Sequence, residues 1–179
     1  MTKKIAVIVG SLRKDSFNKK LALALAELGR DILTLEVTPL EDVPLYNQDL
    51  DADPPASVLR MKKAAAEADG VLFVTPEYNR GIPAVLKNAI DWGSRPTGKG
   101  VWTGKPAAIA GISPGVIGTA VAQAQLRPIL VMLGMKLMGQ PEVYISGAPG
   151  YFDATGCVAE EKNRKYLRNF LERFAEWIG

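Results

Sequence analysis

Residues 71–92 read VLFVTPEYNRGIPAVLKNAIDW. The run 71–75 has the apolar composition and the length of a buried strand, and the segment from Pro83 to Trp92 has the composition of a helix. A polar and aromatic loop, Pro76 to Asn79, joins the two. In open α/β sheets such loops lie at the carboxyl ends of strands, where ligands bind. Its aromatic face, carboxylate and amide groups suit a flat heterocycle better than a metal ion or a peptide.

The same alternation of strand and helix continues along the chain. Strand-like runs occupy residues 5–9, 32–37, 106–112 and 136–145. Helical patterns occupy residues 17–29 and 54–68 and an apolar segment that ends near residue 133. A last helical pattern, at the C-terminus, is marked by Tyr166, Phe170, Phe174 and Trp177. Repeated βα units predict an α/β fold with three layers, in which helices cover both faces of a five-stranded parallel sheet of order 2-1-3-4-5. Because no repeat or linker divides the chain, we expect one domain over residues 1–179.

The composition excludes several classes of function. Among 179 residues there is no histidine and one cysteine, Cys157. Histidine is the usual general base and transition-metal ligand, so we expect no metal site and no histidine-dependent triad. Any chemistry must then rest on carboxylates and lysines or on a cofactor. Cys157 has no second cysteine near it, which favours an inert thiol over a redox centre.

Charge and hydropathy limit the partners and the location. The formal net charge is only +3 and the basic residues do not cluster, which disfavours nucleic acid. No apolar stretch approaches the roughly 20 residues of a membrane span, and the N-terminus lacks a signal-peptide core. We therefore expect a cytoplasmic protein that does not contact membranes.

The segment around Pro128 has an unusual composition. Residues 123–135 are apolar on nearly all sides, which is typical of a deeply buried helix or of a helix at a subunit interface, and we favour the interface. Proline removes a backbone donor, so Pro128 predicts a kink or an interruption of this helix.

The first βα turn, Gly10 to Asn18, has the features of an anion site. It leads from a buried strand into a helix N-terminus, where unpaired N–H groups and the helix dipole favour negative charge. Ser11, Ser16 and Asn18 add polar side chains, and Arg13 adds a charged donor. The P-loop and dinucleotide motifs are both absent, so the turn suits one phosphate monoester, as in a mononucleotide. The alternative is an ordinary turn in which Ser16 caps the helix.

Two further loops follow neighbouring strands. In the loop after residue 75, Tyr78 can stack on a ring and Asn79 can bond its edge, whereas Glu77 can instead cap a helix or pair with Arg80. After strand 106–112, the stretch from Ser113 to Gly118 contains glycines that let backbone approach a ligand, although it can also be a plain turn. Three loops at adjacent strand ends can surround one ligand. Tyr46, Asn47 and Trp102 either line the rim of that site or pack in the core or at an interface.

Taken together, these motifs resemble the NAD(P)H-dependent FMN reductase family, and within it the bacterial quinone reductases that are also described as chromate reductases. The matching stretches are Gly10-Ser11-Leu12-Arg13 with Ser16 and Asn18, Pro44-Leu45-Tyr46-Asn47, Pro76-Glu77-Tyr78-Asn79 with Pro83, Leu86-Lys87-Asn88-Ala89 and Asp91, and Ser113 with Gly115. The resemblance covers nearly the whole chain. It implies a flavodoxin-like fold, non-covalent FMN, and a homodimer or a homotetramer built as a dimer of dimers.

The resemblance also implies the site and the reaction. The residues implied to bind FMN are Ser11, Arg13, Ser16, Phe17, Asn18, Pro76, Glu77, Tyr78, Asn79, Ser113 and Gly115. Hydride would pass from NADPH or NADH to FMN, and two electrons would then pass to a quinone, or to chromate or another metal oxyanion, in a ping-pong mechanism without a catalytic side chain. Arg80 would contact NADPH or an anionic acceptor. Gly81, where the family motif commonly has serine, and Pro128 depart from the pattern.

Two other functions are compatible with the same motifs. A one-electron carrier of the flavodoxin type would bind FMN and need a partner protein, but flavodoxins are typically strongly acidic and this chain is slightly basic. A non-enzymatic flavin-binding regulator would bind flavin without reducing it. The sequence names neither the physiological acceptor nor the preferred nicotinamide.

Overall fold

A computed structural model of the chain describes residues 2–179. Its strands are β1 (Lys3–Val9), β2 (Leu33–Val37), β3 (Gly70–Val74), β4 (Pro106–Ile112), β5 (Lys136–Leu137) and β6 (Val143–Ile145). All of the strand pairs are parallel, and the order β2-β1-β3-β4-β5 confirms the predicted order.

The fifth position of the sheet differs from the prediction of a single strand over residues 136–145. β5 and β6 both pair with β4, and between them the Met138 N–H still bonds to Ala107 while residues 139–142 leave the ladder. Pro141 lies in this interval and has no N–H group to donate to a neighbouring strand. The sheet therefore has six short strands in five positions.

Five α-helices cover the sheet: α1 (Phe17–Leu28), α2 (Ala56–Glu67), α3 (Ala84–Gly93), α4 (Ala120–Met132) and α5 (Glu161–Ile178). One apolar cluster packs α1 and α5 against one face of the sheet, and a second cluster packs α2, α3 and α4 against the other. The predicted three layers are thereby confirmed. No helix of residues 2–179 is both long enough and apolar enough to span a bilayer.

Pro128 does not interrupt helix α4, so the prediction of an interruption is wrong. The helix is continuous from Ala120 to Met132, and Pro128 lies on its exposed side. The carbonyl that a proline leaves unpaired on that side can bond to water, which explains why the helix tolerates it. Leu126 and Leu130 are buried while the apolar side chains of Val131 and Met132 are exposed, so α4 is not deeply buried on all sides. That α4 forms a subunit interface stays a prediction.

The sheet brings three strand ends to one edge. Val9 of β1 is in register with Val74 of β3, and Val74 is in register with Ala110 of β4. Gly111 lets β4 lie close to Thr75 and Thr119. A Cβ atom at position 111 would lie 2.3 Å from both the Thr75 carbonyl oxygen and the Thr119 Oγ1. The loops after β1, β3 and β4 consequently emerge beside one another.

Candidate functional site

The loop after β1, residues 10–16, which we call the first loop, keeps several polar groups free of internal bonds. Ser16 is the N-cap of α1, and its Oγ accepts a hydrogen bond from Lys19 N at 3.3 Å. That bond confirms the helix-cap alternative without removing the anion site. The amides of Phe17 and Asn18 lie in the first turn, where an α-helix offers them no acceptor. They are available to a ligand anion.

The side chains of the first loop complete this donor set. Ser11 is buried, so its hydroxyl lies at the base of the loop. The guanidinium carbon of Arg13 lies 5.7 Å from the centroid of the Phe17 ring, and within residues 2–179 Arg13 takes part in no ion pair. An exposed, unpaired guanidinium beside a helix N-terminus favours an anionic ligand.

Asn18 differs from the other polar side chains of this region. Its Nδ2 donates to the carbonyl oxygen of Ile112 at 2.9 Å, and its Oδ1 accepts from Ile112 N at 3.1 Å. The residue is 2% exposed. Its side-chain amide is therefore bound to the end of β4, and only its backbone N–H faces the first loop.

The loop after β3, residues 75–81, is the second loop, and it ends in a tight hairpin. Tyr78 and Gly81 exchange two backbone hydrogen bonds, of 3.1 and 2.9 Å. The two residues between them have positive φ angles, 51° at Asn79 and 63° at Arg80, as a type I′ turn requires. Asparagine tolerates this conformation, but arginine rarely adopts it, so surrounding contacts must hold Arg80 there. The turn leaves Tyr78 and Asn79 exposed at its tip.

Glu77 holds the second loop against α4. Its Oε2 accepts hydrogen bonds from Val121 N at 3.0 Å and Ala122 N at 3.1 Å, and its Oε1 accepts from the Arg80 guanidinium at 3.0 Å. The predicted pair with Arg80 is therefore confirmed, but the helix that Glu77 caps is α4 and not α3, the helix that follows its own loop. Burial disfavours its charged form, but the bonds from Ala122, Arg80 and Val121 outweigh that effect and lower the pKa of Glu77. The carboxylate is ionised and fully bonded.

Gln125 fixes the other end of the same hairpin. Its Nε2 donates to the carbonyl oxygen of Arg80 at 2.8 Å, which helps to keep Arg80 at positive φ. The sequence alone did not suggest this residue. Gln125 lies 45 positions from Arg80, and no local pattern marks such a contact.

The loop after β4, residues 113–118, is the third loop. Ser113 Oγ donates to the carbonyl oxygen of Gly118 at 2.6 Å, and Gly118 has a φ of 65° that favours glycine. The second and third loops enclose a cleft of about 320 Å³. The residues that line it are Glu77, Asn79, Arg80, Ser113, Pro114, Gly115 and Gly118.

The structure thus brings together most of the predicted site residues. Asn79, Ser113 and Gly115 line the cleft, and buried Pro76 begins the loop that forms one wall. The first-loop residues lie at the adjoining strand end, linked by a bond from Gly10 N to the Val74 carbonyl oxygen at 2.8 Å. A flat group in the cleft and an anion at the first loop can therefore belong to one extended ligand.

The rim candidates have mainly structural roles. Trp102 is 1% exposed and donates to the Ile90 carbonyl oxygen, which makes it a core residue. Tyr46 packs edge-on against Trp92, with ring centroids 5.0 Å apart, and its backbone N–H bonds to Asn88. Asn47 caps the short 3₁₀ helix Gln48–Leu50.

Two other features of the described chain lie apart from these loops. A larger cavity, of about 450 Å³, lies between β6 and the start of α5 and contains none of the predicted site residues. Within residues 2–179, no group of three or more histidine, cysteine, aspartate or glutamate side chains is arranged to hold a metal ion. The three loops are thus the best candidate site.

Comparison with known proteins identifies the family. Residues 3–150 match the family model described as NADPH-dependent FMN reductase. The chain belongs to this family.

Relatives within and near the family are similar over almost their full length. The chain is 51% identical to a 2-hydroxy-1,4-benzoquinone reductase of a Burkholderia species, covering 99% of this chain and 97% of the relative. It is 47% identical to a quinone reductase of Pseudomonas putida, covering 97% and 94%. Among solved structures, the flavoenzyme NAD(P)H:(acceptor) oxidoreductase FerB of Paracoccus denitrificans superposes with a TM-score of 0.94 at 48% identity, covering 99% and 97%.

FMN, with NADPH or NADH as the electron donor, is therefore the cofactor of this family member. The residues of the structure fit that group. FMN carries one phosphate monoester, and the first loop supplies free backbone amides, buried hydroxyl groups and the unpaired Arg13. FMN also carries a flat ring, and the cleft has an exposed tyrosine at its edge and glycine at its wall.

Proposed function

We propose that the protein is an FMN-dependent NAD(P)H:acceptor oxidoreductase that reduces quinones by two electrons. The observation that carries the proposal is the combination of free anion donors in the first loop with an open cleft between the second and third loops. The similarity to quinone reductases that are 51% and 47% identical to this chain supports the choice of acceptor.

The residues divide into two groups in this proposal. The phosphate is held by the hydroxyl groups of Ser11 and Ser16, the guanidinium of Arg13, and the backbone amides of Phe17 and Asn18. The flavin ring is bordered by residues of the second and third loops, namely Pro76, Glu77, Tyr78, Asn79, Ser113 and Gly115. Glu77 contributes through the loop that it holds, because both of its oxygens are already bonded.

Bound FMN would supply the redox chemistry, a two-electron transfer from NAD(P)H to the acceptor. The protein orients the ligands and leaves one side of the cleft open for the donor and acceptor in turn, which gives ping-pong kinetics. The lowered pKa of Glu77 keeps it ionised at neutral pH, so we assign it no proton transfer. No catalytic side chain is needed.

The wider range of partners follows from the same open cleft. Chromate and other metal oxyanions are further proposed acceptors, and Arg80, exposed at the cleft, is the proposed contact for an anionic acceptor or for the NADPH phosphate. We also propose a homodimer or a homotetramer with exposed Val131 and Met132 of α4 at an interface. The exposed free thiol of Cys157 suits a reducing compartment such as the cytoplasm.

Anaerobic absorption spectroscopy tests this proposal. The purified protein is reconstituted with FMN, its spectrum is recorded, and NADPH and then 1,4-benzoquinone are added without any partner protein. We expect NADPH to bleach the flavin bands and the quinone to restore them; a sample that receives buffer instead of quinone should stay bleached. Adding chromate in place of the quinone tests the oxyanions separately.

Two results would overturn the proposal. Bound flavin that neither NADPH nor NADH bleaches would indicate an electron carrier or a regulator. A protein that binds no FMN at all would show that the three loops do not form a flavin site.

A further inference from the structure

The end of β4 has an unusual bonding partner. The backbone N–H and C=O of Ile112 point away from β6, because the next residue, Ser113, bonds to Ile145 of β6. They lie on the side of β3, as does the carbonyl of Ala110, which bonds to Thr75 N at 2.9 Å. Among the described residues, β3 ends at Val74, and no backbone group beyond Thr75 bonds to Ile112.

The side chain of Asn18 bonds to Ile112 where a longer β3 would otherwise do so. A side-chain amide carries a donor and an acceptor, as a peptide group does, and both are used here on the two backbone groups of Ile112. Asn18 and Ile112 are 94 positions apart, and the contact is buried. It therefore ties the first turn of α1 to the last residue of β4.

This tie links the two halves of the proposed flavin site. On one side, Asn18 is in the helical turn whose free amides form the anion site. On the other, Ile112 directly precedes Ser113, where the third loop and one wall of the cleft begin. Beside the sheet itself, the Asn18 side-chain amide is thus a direct link between the phosphate donors and the cleft wall.

We propose that Asn18 is a positioning residue, whose side chain fixes the third loop relative to the first loop and does not touch the phosphate. This inference rests on the proposed FMN site. It changes the role that the sequence motif implied for Asn18, because Nδ2 and Oδ1 of this buried amide both bond to Ile112. Only the backbone N–H of Asn18 serves the phosphate.

Comparing FMN with riboflavin, which lacks the phosphate, tests the inference. Dissociation constants for both are measured by quenching of flavin fluorescence in the wild type, Asn18→Ala and Asn18→Asp. The aspartate is nearly isosteric and can still accept from Ile112 N, but it cannot donate to the Ile112 carbonyl. Asn169→Asp, the same change on the exposed side of α5, is the matched control.

We expect Asn18→Ala to weaken FMN and riboflavin by the same factor, about tenfold or more, because a displaced third loop affects the ring that both ligands share. Asn18→Asp should weaken riboflavin similarly and FMN further, because its new negative charge repels the phosphate. The ratio of the two dissociation constants should stay at its wild-type value in Asn18→Ala, and Asn169→Asp should change neither constant. Weaker FMN binding with unchanged riboflavin binding would show that Asn18 contacts the phosphate and would overturn the inference. A wild type that binds neither flavin would overturn the proposed function instead.

A measurement on the wild type covers the case in which the variants fail to fold. In NMR spectra of ¹⁵N-labelled protein without ligand, the Asn18 side-chain NH₂ signals and the Ile112 amide should exchange slowly with solvent and should remain protected when FMN is added. Fast exchange of the Asn18 side chain before FMN, or a scalar coupling between its nitrogen and the FMN phosphorus, would contradict the inference.

Discussion

The first and second loops contain similar residue types and use them in opposite ways. Among residues 2–179, Arg13 takes part in no ion pair, and the amides of Phe17 and Asn18 have no hydrogen-bond acceptor. In the second loop, the charged side chains are paired with each other, and Glu77 also caps α4. Free donors attract a ligand anion, whereas internally bonded groups fix the shape of a wall. Similar polar residues therefore bind the ligand phosphate in the first loop and hold the cleft wall in a fixed shape in the second loop.

The largest expected effect comes from breaking the internal bonds of the second loop. Glu77→Ala leaves the buried amides of Val121 and Ala122 without their acceptor and frees Arg80 from its ion pair. We expect the free energy of unfolding to fall by about 2–3 kcal/mol, as for loss of a charged, buried helix cap. Urea denaturation of the FMN-free protein measures it.

Glu67→Ala, which removes an exposed glutamate of α2, should change that free energy by less than about 0.5 kcal/mol. If Glu77→Ala were as stable as this control, Glu77 would not hold the second loop in solution.

Arg13→Ala tests the first loop, and its effect should appear in ligand binding alone. Loss of a charge-assisted hydrogen bond should weaken FMN binding by about 1–3 kcal/mol, while riboflavin binding and the stability of the FMN-free protein stay unchanged. Isothermal titration with each flavin measures this. Arg30→Ala, which breaks an exposed ion pair with Glu27, is the control. Unchanged FMN affinity in Arg13→Ala would show that Arg13 does not bind the phosphate.

A smaller effect is expected at Gln125. Gln125→Ala keeps the helix propensity of α4 but removes the donor to the Arg80 carbonyl oxygen. We expect a loss of about 0.5–1 kcal/mol of stability, together with faster amide hydrogen exchange at Gly81, whose N–H closes the turn. Lys63→Ala on exposed α2 serves as the control. Exchange at Gly81 equal to that of the wild type would show that the turn does not need Gln125.

The smallest expected effect on stability comes from acid pH, which acts on Glu77 of the second loop. Because the pKa of Glu77 is lowered in the folded protein, its stabilising contribution is complete above the ordinary glutamate value of about 4.3 and is lost as pH falls through the lowered value. Stability differences between the wild type and Glu77→Gln, measured by urea denaturation from pH 7 to pH 3, should shrink only below about pH 4. A difference that shrinks between pH 7 and pH 5 would contradict the lowered pKa.

The features that the sequence predicted correctly are those with local patterns. Apolar runs located the strands, and the order of βα units predicted the strand order. The cap at Ser16 and the pair between Glu77 and Arg80 were also visible, since each joins residues three positions apart. Local chemistry is sufficient for features of this kind.

The features that the sequence missed depend on distant residues. Asn18 meets Ile112, and Gln125 meets Arg80, only after the sheet has formed, so no spacing in the sequence marks either contact. Pro128 was predicted to kink or interrupt α4, and the interruption is wrong, because the sequence does not reveal which side of that helix faces solvent. Burial and long-range bonding, rather than residue type, decide such cases.

The structure of the protein crystallised with FMN tests the central claim most directly. We predict the phosphate between Arg13, Ser16 and the amides of Phe17 and Asn18, with the bonds from Glu77 to Val121 and Ala122 unchanged. A phosphate bound instead at the N-terminus of α4, with Glu77 displaced, would contradict the assignment of ligand binding to the first loop and of shape to the second.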